Sequence, residues 1–302
     1  MKNKEASFLV FTYMTSIITG SNGFIAKKLI EKLHSTGEEF LPLNREDGDL
    51  SICPLEDLIN RENDINNFYH LAARTFVPSA WNNPEDFIKE NVASTLNVLN
   101  YCRLNKLPLI YMSAYIYGKQ EVLPIKENAI INPSNPYAQS KLLCEKICKY
   151  YADVFSLDVT ILRPFNVYGP DQEKHFLIPE IVGQIKSSNK IVVNSFYPKR
   201  DFVYIEDVVD AMTIASKQLK GFQIYNIGSG HSVSVKEIIE LLDDLVEESL
   251  EYEERGLERK DEMMDVVADI SAANKFLSWN PQVSLREGLK KVLLKEGICT
   301  QG

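Results

Sequence analysis

Three features of the sequence predict an α/β fold: a doubly wound parallel sheet followed by a smaller α/β portion. Short β-branched or apolar runs alternate with helical periodicity, the order that parallel strands with right-handed crossovers require. A glycine-rich turn stands where the first strand meets the first helix. The chain has 302 residues, 45% hydrophobic and 25% charged. That suits one large domain, or a nucleotide-binding domain with a smaller companion, and excludes wholesale disorder.

The elements follow in order. Thr15–Thr19 is a β-branched run, Ile25–Ser35 is helical, and Glu39–Leu43 and Asn67–Leu71 read as the second and third strands. Pro84–Asn105 is a long helix, Leu107–Met112 a strand, Pro136–Phe155 a helix and Asp158–Arg163 a strand. Beyond Pro170 the alternation loosens. Strands Lys190–Val193 and Phe222–Ile227 mix with helices Ile178–Lys186, Ile205–Gln218 and Val235–Glu248. The acidic stretch Glu247–Glu262 reads as an exposed helix or loop. We accordingly expect a nucleotide-binding domain over 14–170 and a mainly substrate-binding portion over 171–302, some segments of which return to the first. Residues 1–13 read as an extension. The apolar run Phe8–Ile18 imitates a secretion signal, but it leads into Thr19 and Gly20, and cleavage there would remove the first strand.

Composition narrows the function classes. Lys and Arg total 33 against 42 Asp and Glu, a net charge of −9, which makes a poor general binder of nucleic acid or anionic membrane. No apolar stretch reaches the length of a membrane span. Cys53, Cys102, Cys144, Cys148 and Cys299 form no CxxC pair, and the spacing of Cys144 and Cys148 is that of a buried helix face. The expectation is structural cysteines in a reducing cytoplasm. His34, His70, His175 and His231 show no metal-ligand spacing, so no metal is expected.

The turn Thr19-Gly20-Ser21-Asn22-Gly23-Phe24-Ile25-Ala26 carries the first chemistry. Gly20 permits the tight turn, Gly23 lets backbone approach a pyrophosphate, and Ala26 lets helix pack close on strand. The helix start then offers N–H groups and a positive dipole to phosphate, with Asn22, Phe24 and Ile25 beside it. The cofactor so implied is NADP or NAD. A ribose partner belongs at the end of the second strand, where Asn44 and Arg45 stand. A carboxylate there would accept from a free 2′-hydroxyl. An amide followed by a guanidinium favours a 2′-phosphate, hence NADP. Asp49 and Leu50 are in reach of the adenine edge.

Tyr137 and Lys141 lie four apart at the start of a helix, on one face and one turn apart. An ammonium near a phenol favours the phenolate, so Lys141 is expected to lower the Tyr137 pKa and fit it for proton transfer at an alcohol or ketone carbon. A YxxxK spacing alone is also a common surface pair. Here Ser113 follows the strand Leu109–Met112, at the end of the sheet where ligands bind, and its hydroxyl can meet the same substrate oxygen.

Glycine turn, serine and YxxxK in this order resemble the extended short-chain dehydrogenase/reductase family, and within it the nucleotide-sugar epimerases, dehydratases and reductases. The resemblance covers nearly everything from Met14 onward, and it implies a Rossmann-type fold. His70-Leu71-Ala72-Ala73 resembles that family's loop beside the cofactor phosphates, and Asn91-Val92 the start of its helix near the nicotinamide ribose. Leu162 to Pro170 is similar to its junction between cofactor and substrate portions, where Asn166 matches a position contacting the nucleotide diphosphate. Arg200 in Arg200-Asp201-Phe202 and Arg259, ten residues before Asp269, match phosphate-binding arginines. Asp261 replaces a usual glycine beside Arg259.

The resemblance implies an enzyme acting at C4 of a nucleotide-diphosphate sugar. Ser113 orients the oxygen, Tyr137 moves the proton, and Lys141 binds the ribose. Ala114 and Tyr115 stand where the dehydratases carry an Asp-Glu pair, which argues against dehydration. Arg45, with a short Asn44–Asp49 segment, leans toward an NADPH-dependent reductase over an NAD-dependent 4-epimerase. A sensor or scaffold that binds NADP without chemistry is the reading from another class. A homodimer is expected through the helices Pro84–Asn105 and Pro136–Phe155, with Leu142, Leu143, Ile147 and Tyr151 at the contact.

Overall fold

The structure is a computed structural model, and it describes residues 15–59, 65–257 and 263–299. The N-terminal extension and Arg259 lie outside these residues. The first strands and helices are β1 (Thr15–Thr19), α1 (Phe24–Thr36), β2 (Glu39–Leu43), α2 (Leu55–Leu58), β3 (Ile65–His70), α3 (Val77–Asn82), α4 (Pro84–Asn105) and β4 (Leu109–Met112). Next come α5 (Pro136–Phe155), β5 (Val159–Pro164), β6 (Asn166–Tyr168), α6 (Leu177–Ser188), β7 (Lys190–Val193) and β8 (Lys199–Tyr204). The chain continues with α7 (Ile205–Ser216), β9 (Phe222–Ile227), β10 (Ser232–Ser234), α8 (Val235–Asp243), β11 (Glu251–Glu254), a π-helical turn at Ala273–Leu277, and α9 (Leu285–Lys295).

Six strands form one sheet in the order β2-β1-β3-β4-β5-β9, parallel throughout. This is the expected Rossmann-type doubly wound sheet. The winding reverses between β1 and β3, so the loops after those strands part and leave a crevice at the carboxyl edge. One face buries Val98, Leu99 and Cys102 of α4 with Cys144 and Cys148 of α5. The other buries Leu29 and Leu33 of α1, Val208 and Met212 of α7, and Trp279. The cysteine pair thus faces the core, as its spacing predicts. No helix among the described residues is long and apolar enough to cross a membrane.

Local chemistry sets the helix ends that matter. The Asn135 side chain accepts from the Ala138 N–H at 2.8 Å, and Pro136 follows at the first helical position, so α5 begins where Tyr137 faces the sheet edge. Ser234 and Glu237 form a capping box on α8.

The smaller portion holds the sheet β10-β8-β6 and the pair β11-β7 around Ile178, Ile181, Ile238, Ile239 and Leu289. β9 returns to the edge of the main sheet. Two expectations need correction. The acidic stretch contains a strand, β11, whose backbone pairs with β7, so its hydrogen bonds and not its charges set its shape. And α8 stops at Asp243, where the chain turns and the Asp243 carboxylate accepts from the Leu250 N–H at 2.7 Å.

Candidate active site

The carboxyl edge of the main sheet opens into a cavity of about 980 Å³. Its walls bring together segments distant in sequence. One end is lined by Gly20, Asn22, Gly23, Phe24 and Ile25 with Asn44, Arg45, Asp49, Leu50 and the loop Leu71-Ala72-Ala73. Ser113, Tyr137 and Lys141 line the middle. Asn166, Asn194, Ser195, Pro198, Arg200 and Arg255 line the far end. Every expected site residue within the described residues therefore faces one space.

The glycine turn fits a dinucleotide phosphate. Gly20 has φ +70°, and a Cβ there would stand 2.8 Å from the Ala72 backbone; one at Gly23 would stand 3.0 Å from the Gly20 carbonyl. No side chain caps the α1 start and no acidic residue sits in its first turn, so its N–H groups and dipole face the cavity without a competing anion. Behind this turn His70 is fully buried, its ring nitrogens 2.7 Å from Thr19 Oγ1 and 3.2 Å from Thr95 Oγ1. Burial brings its pKa down to about 3, so it is a neutral link between β1, β3 and α4. Asn91 accepts from the Arg74 N–H at 2.8 Å and donates to Ser140 at 2.9 Å, tying the loop after β3 to α5.

At the middle, the Lys141 ammonium does not meet the Tyr137 phenol. It donates to the Met112 carbonyl at 2.7 Å and lies 4.8 Å from the centre of the Tyr111 ring. Burial brings Lys141 down to about 8, and burial pushes the Tyr137 phenol up. This corrects the expected lowering. Desolvation of the phenol outweighs a cation whose field is spent on a carbonyl at the end of β4.

Ser113 is nearly buried, and its hydroxyl donates to Glu145 Oε1 at 2.5 Å. Glu145 receives Arg163 Nε at 3.0 and 3.2 Å and Arg163 Nη2 at 2.6 Å. Arg163 reaches on to the Tyr117 hydroxyl at 2.8 Å, which donates to Asn226 Oδ1 at 2.5 Å. Sequence reasoning missed Glu145 and Arg163 as a pair. Glu145 sits one turn past Lys141, but nothing in the spacing brings β5 beneath it.

The remaining expected residues are engaged within the protein. Asn44 accepts from the Glu46 N–H at 2.8 Å and shapes its own turn. Arg45 donates to Asp49 at 3.0 Å and Glu90 at 3.4 Å, so it does not simply point at a phosphate. Asn166 donates to the Asp201 carbonyl at 3.0 Å, and Arg200 to the carbonyls of Lys199 at 2.8 Å and Met263 at 2.6 Å. Arg74, Glu90 and Arg255 also line the cavity and were not foreseen.

A dinucleotide cradle beside a buried Ser and Lys and a half-buried Tyr at the carboxyl edge of such a sheet defines an NAD(P)-dependent enzyme of Rossmann type. Residues 16–228 match the model of the NAD-dependent epimerase/dehydratase family. The chain is 30% identical to the GDP-6-deoxy-D-mannose reductase of Pseudomonas aeruginosa, over 91% of this chain and 95% of that one. It is also 30% identical to a UDP-glucuronate 4-epimerase of Thermodesulfobacterium geofontis, over 92% and 94%. A solved Pseudomonas aeruginosa structure, RMD complexed with NADPH, superposes with a TM-score of 0.86 at 29% identity, covering 93% of this chain and 98% of that one. The chain belongs to the NAD-dependent epimerase/dehydratase family, within the extended short-chain dehydrogenase/reductase group that its motifs resemble.

Two outcomes follow from this geometry. Arg163→Met leaves the Glu145 carboxylate buried without its cation and should cost about 3–5 kcal/mol in urea unfolding, while Arg163→Met with Glu145→Leu should recover most of it. Lys141 has a folded pKa of about 8, below its unfolded value. Above the folded pKa the unfolded chain therefore holds the extra proton, and stability rises with pH up to the unfolded value. The stability of the parent relative to Lys141→Met should thus increase between about pH 8 and about pH 10, as measured by denaturant melts.

Proposed function

We propose that the protein is an NADPH-dependent reductase acting at C4 of a nucleotide-diphosphate 4-keto-sugar. The observation that carries the reading is the layout of the cavity, in which Ser113, Tyr137 and Lys141 lie between the glycine cradle and a wall containing Asn166 and Arg200. When bound, the nicotinamide supplies the hydride. Tyr137, held protonated by burial, gives its proton to the C4 oxygen. Ser113, whose hydroxyl proton rests on Glu145 without substrate, turns that proton to the C4 oxygen and orients it. Lys141 holds the ribose, and its ammonium, charged throughout, stabilises the Tyr137 phenolate left when the proton has gone to the C4 oxygen. Asn166 and Arg200 bind the diphosphate, and the stretch Asn194 to Pro198, whose Asn194, Ser195 and Pro198 line the cavity, forms the base pocket. Arg45, at the end of β2, is the first contact for the 2′-phosphate. The buried, unpaired thiols of Cys102, Cys144 and Cys148 support a cytoplasmic setting.

A second reading is the NAD-dependent 4-epimerase, in which the same groups run the oxidation and its reverse on a turned sugar. Asp49 and Glu90, two carboxylates beside Arg45, favour it because they would accept from a free ribose 2′-hydroxyl. Against dehydration, Ala114 offers no acid. The Tyr115 hydroxyl is committed to the Gly118 carbonyl at 2.5 Å, and burial raises its pKa to about 12.

We also infer a homodimer through α4 and α5. Tyr151 is buried and bonded to Asn100 at 2.8 Å, Ile147 packs on the sheet, and Leu142 packs toward Ala114. Beside the partly buried Leu142 and Ile147, the exposed Leu104, Tyr150, Val154 and Phe155 add apolar surface on the same two helices. Sedimentation at micromolar concentration should give a dimer, and Tyr150→Glu with Val154→Glu a monomer; a monomeric parent would count against the pairing.

The enzymatic test is Tyr137→Phe, which removes one oxygen and little volume. With NADPH and GDP-4-keto-6-deoxymannose, or another nucleotide 4-keto-sugar, turnover should fall by roughly 10²–10⁴. Parental turnover in this variant would sink the mechanism. Steady NADPH consumption separates the reductase from the epimerase, which consumes none.

A further inference from the structure

Four charged side chains meet at the end of the cavity beside β2 and the glycine turn. Arg45 Nη2 donates to Asp49 Oδ2 at 3.0 Å and to Glu90 Oε2 at 3.4 Å. Arg74 Nε donates to that same Glu90 oxygen at 2.7 Å. The four come from three places in the chain: the loop after β2, the loop after β3, and the second turn of α4. All four line the cavity. The two arginine side chains are 65% and 35% exposed, so neither is locked in the core.

One carboxylate shared by two guanidinium groups at the lip of a cavity is a replaceable anion. A single oxygen, Oε2, serves two planar forks that a phosphate monoester, with nearly two charges and three terminal oxygens, would serve better. A ribose hydroxyl, by contrast, is uncharged: it can donate to a free lone pair of a carboxylate without displacing it, and it leaves the ion pairs in place. The cluster is also electrically balanced, two cations against two carboxylates. Arg45 alone, already committed to two acids, therefore offers little net field to a 2′-phosphate.

We propose that Arg74 is a second 2′-phosphate-binding residue and that Glu90 sets the preference between NADPH and NADH. Without a 2′-phosphate, Glu90 holds both guanidinium groups together. A 2′-phosphate displaces it and takes both forks, and the strength of the Glu90 grip fixes how far NADPH is favoured. The proposal rests on the reading of this cavity as a site for NADP, and it adds to that reading the residues that decide the cofactor.

The test needs only the full-length protein and the two cofactors. Binding of NADPH and NADH is titrated by nicotinamide fluorescence for the parent and for Arg45→Gln, Arg74→Gln and Glu90→Gln, with a thermal melt of each. Arg74→Gln should lower the NADPH:NADH affinity ratio by about tenfold, and Glu90→Gln should raise it several-fold by removing the competing charge. If Arg74→Gln and Glu90→Gln leave the ratio within about twofold of the parent while Arg45→Gln lowers it, the clamp is wrong and the NADPH reading stands. Lowered melting temperatures with an unmoved ratio would assign the Arg74–Glu90 pair a purely structural role and overturn the proposal. A parent that prefers NADH overturns both.

Discussion

The ion pair between Glu145 and Arg163, almost wholly removed from water, is the constraint on which the site depends. Glu145 belongs to α5 and Arg163 to β5, so the pair fixes the depth at which α5 lies over the sheet. Lys141 and Tyr137 are about one and two turns earlier on the same helix, and their positions follow from that depth. Ser113, at the end of β4, donates its hydroxyl to the same carboxylate. The pair therefore aligns Ser113, Tyr137 and Lys141, the three groups of the proposed mechanism, and it reaches through Tyr117 and Asn226 to β9 at the edge of the sheet. Burying two charges is costly unless every remaining donor and acceptor is met. Here the Arg163 guanidinium reaches Glu145, the Tyr117 hydroxyl and the Glu127 carbonyl.

The cofactor end is built differently, from close backbone approach. Gly20 brings the turn after β1 against Ala72 in the loop after β3, with no room for a side chain between them. That approach is possible because the winding reverses between these two strands. His70, neutral and held between two threonines, fills the space behind the turn without adding a charge near the phosphates. The positive charge that this end of the cavity offers is the α1 start, with Arg45 and Arg74 in its lining.

Charge is distributed with the same economy at the middle of the cavity. The Lys141 ammonium rests on a carbonyl at the end of β4, while the Tyr137 phenol stays protonated. A protonated phenol suits delivery of a proton to a ketone oxygen. As the phenolate forms, the nearby ammonium becomes more valuable than it is in the resting protein. Electrostatic help of this kind is greatest when the charge develops, which is where catalysis needs it.

Much of this was legible in the sequence. Strand–helix alternation, the Gly20 to Ala26 turn and the order of Ser113, Tyr137 and Lys141 are local patterns, and local patterns survive reading one residue at a time. They were enough for the doubly wound sheet and for the family. What tertiary structure alone decided is how charges far apart in the chain meet. The sequence places Lys141 one turn from Tyr137, but the carbonyl of Met112 claims its ammonium and burial raises the phenol. It places Arg45 at the end of β2, but Glu90 and Arg74 join it only once α4 and the loop after β3 pack beside that strand. Glu145 and Arg163 read as an unremarkable acid and base until β5 slides beneath α5. The strand at Glu251–Glu254 likewise exists because β7 offers it backbone partners, in a stretch whose composition alone suggests a solvated helix or loop. Periodicity and turn chemistry are properties of neighbours in sequence, while desolvation and ion pairing depend on neighbours in space, and only the fold brings those together.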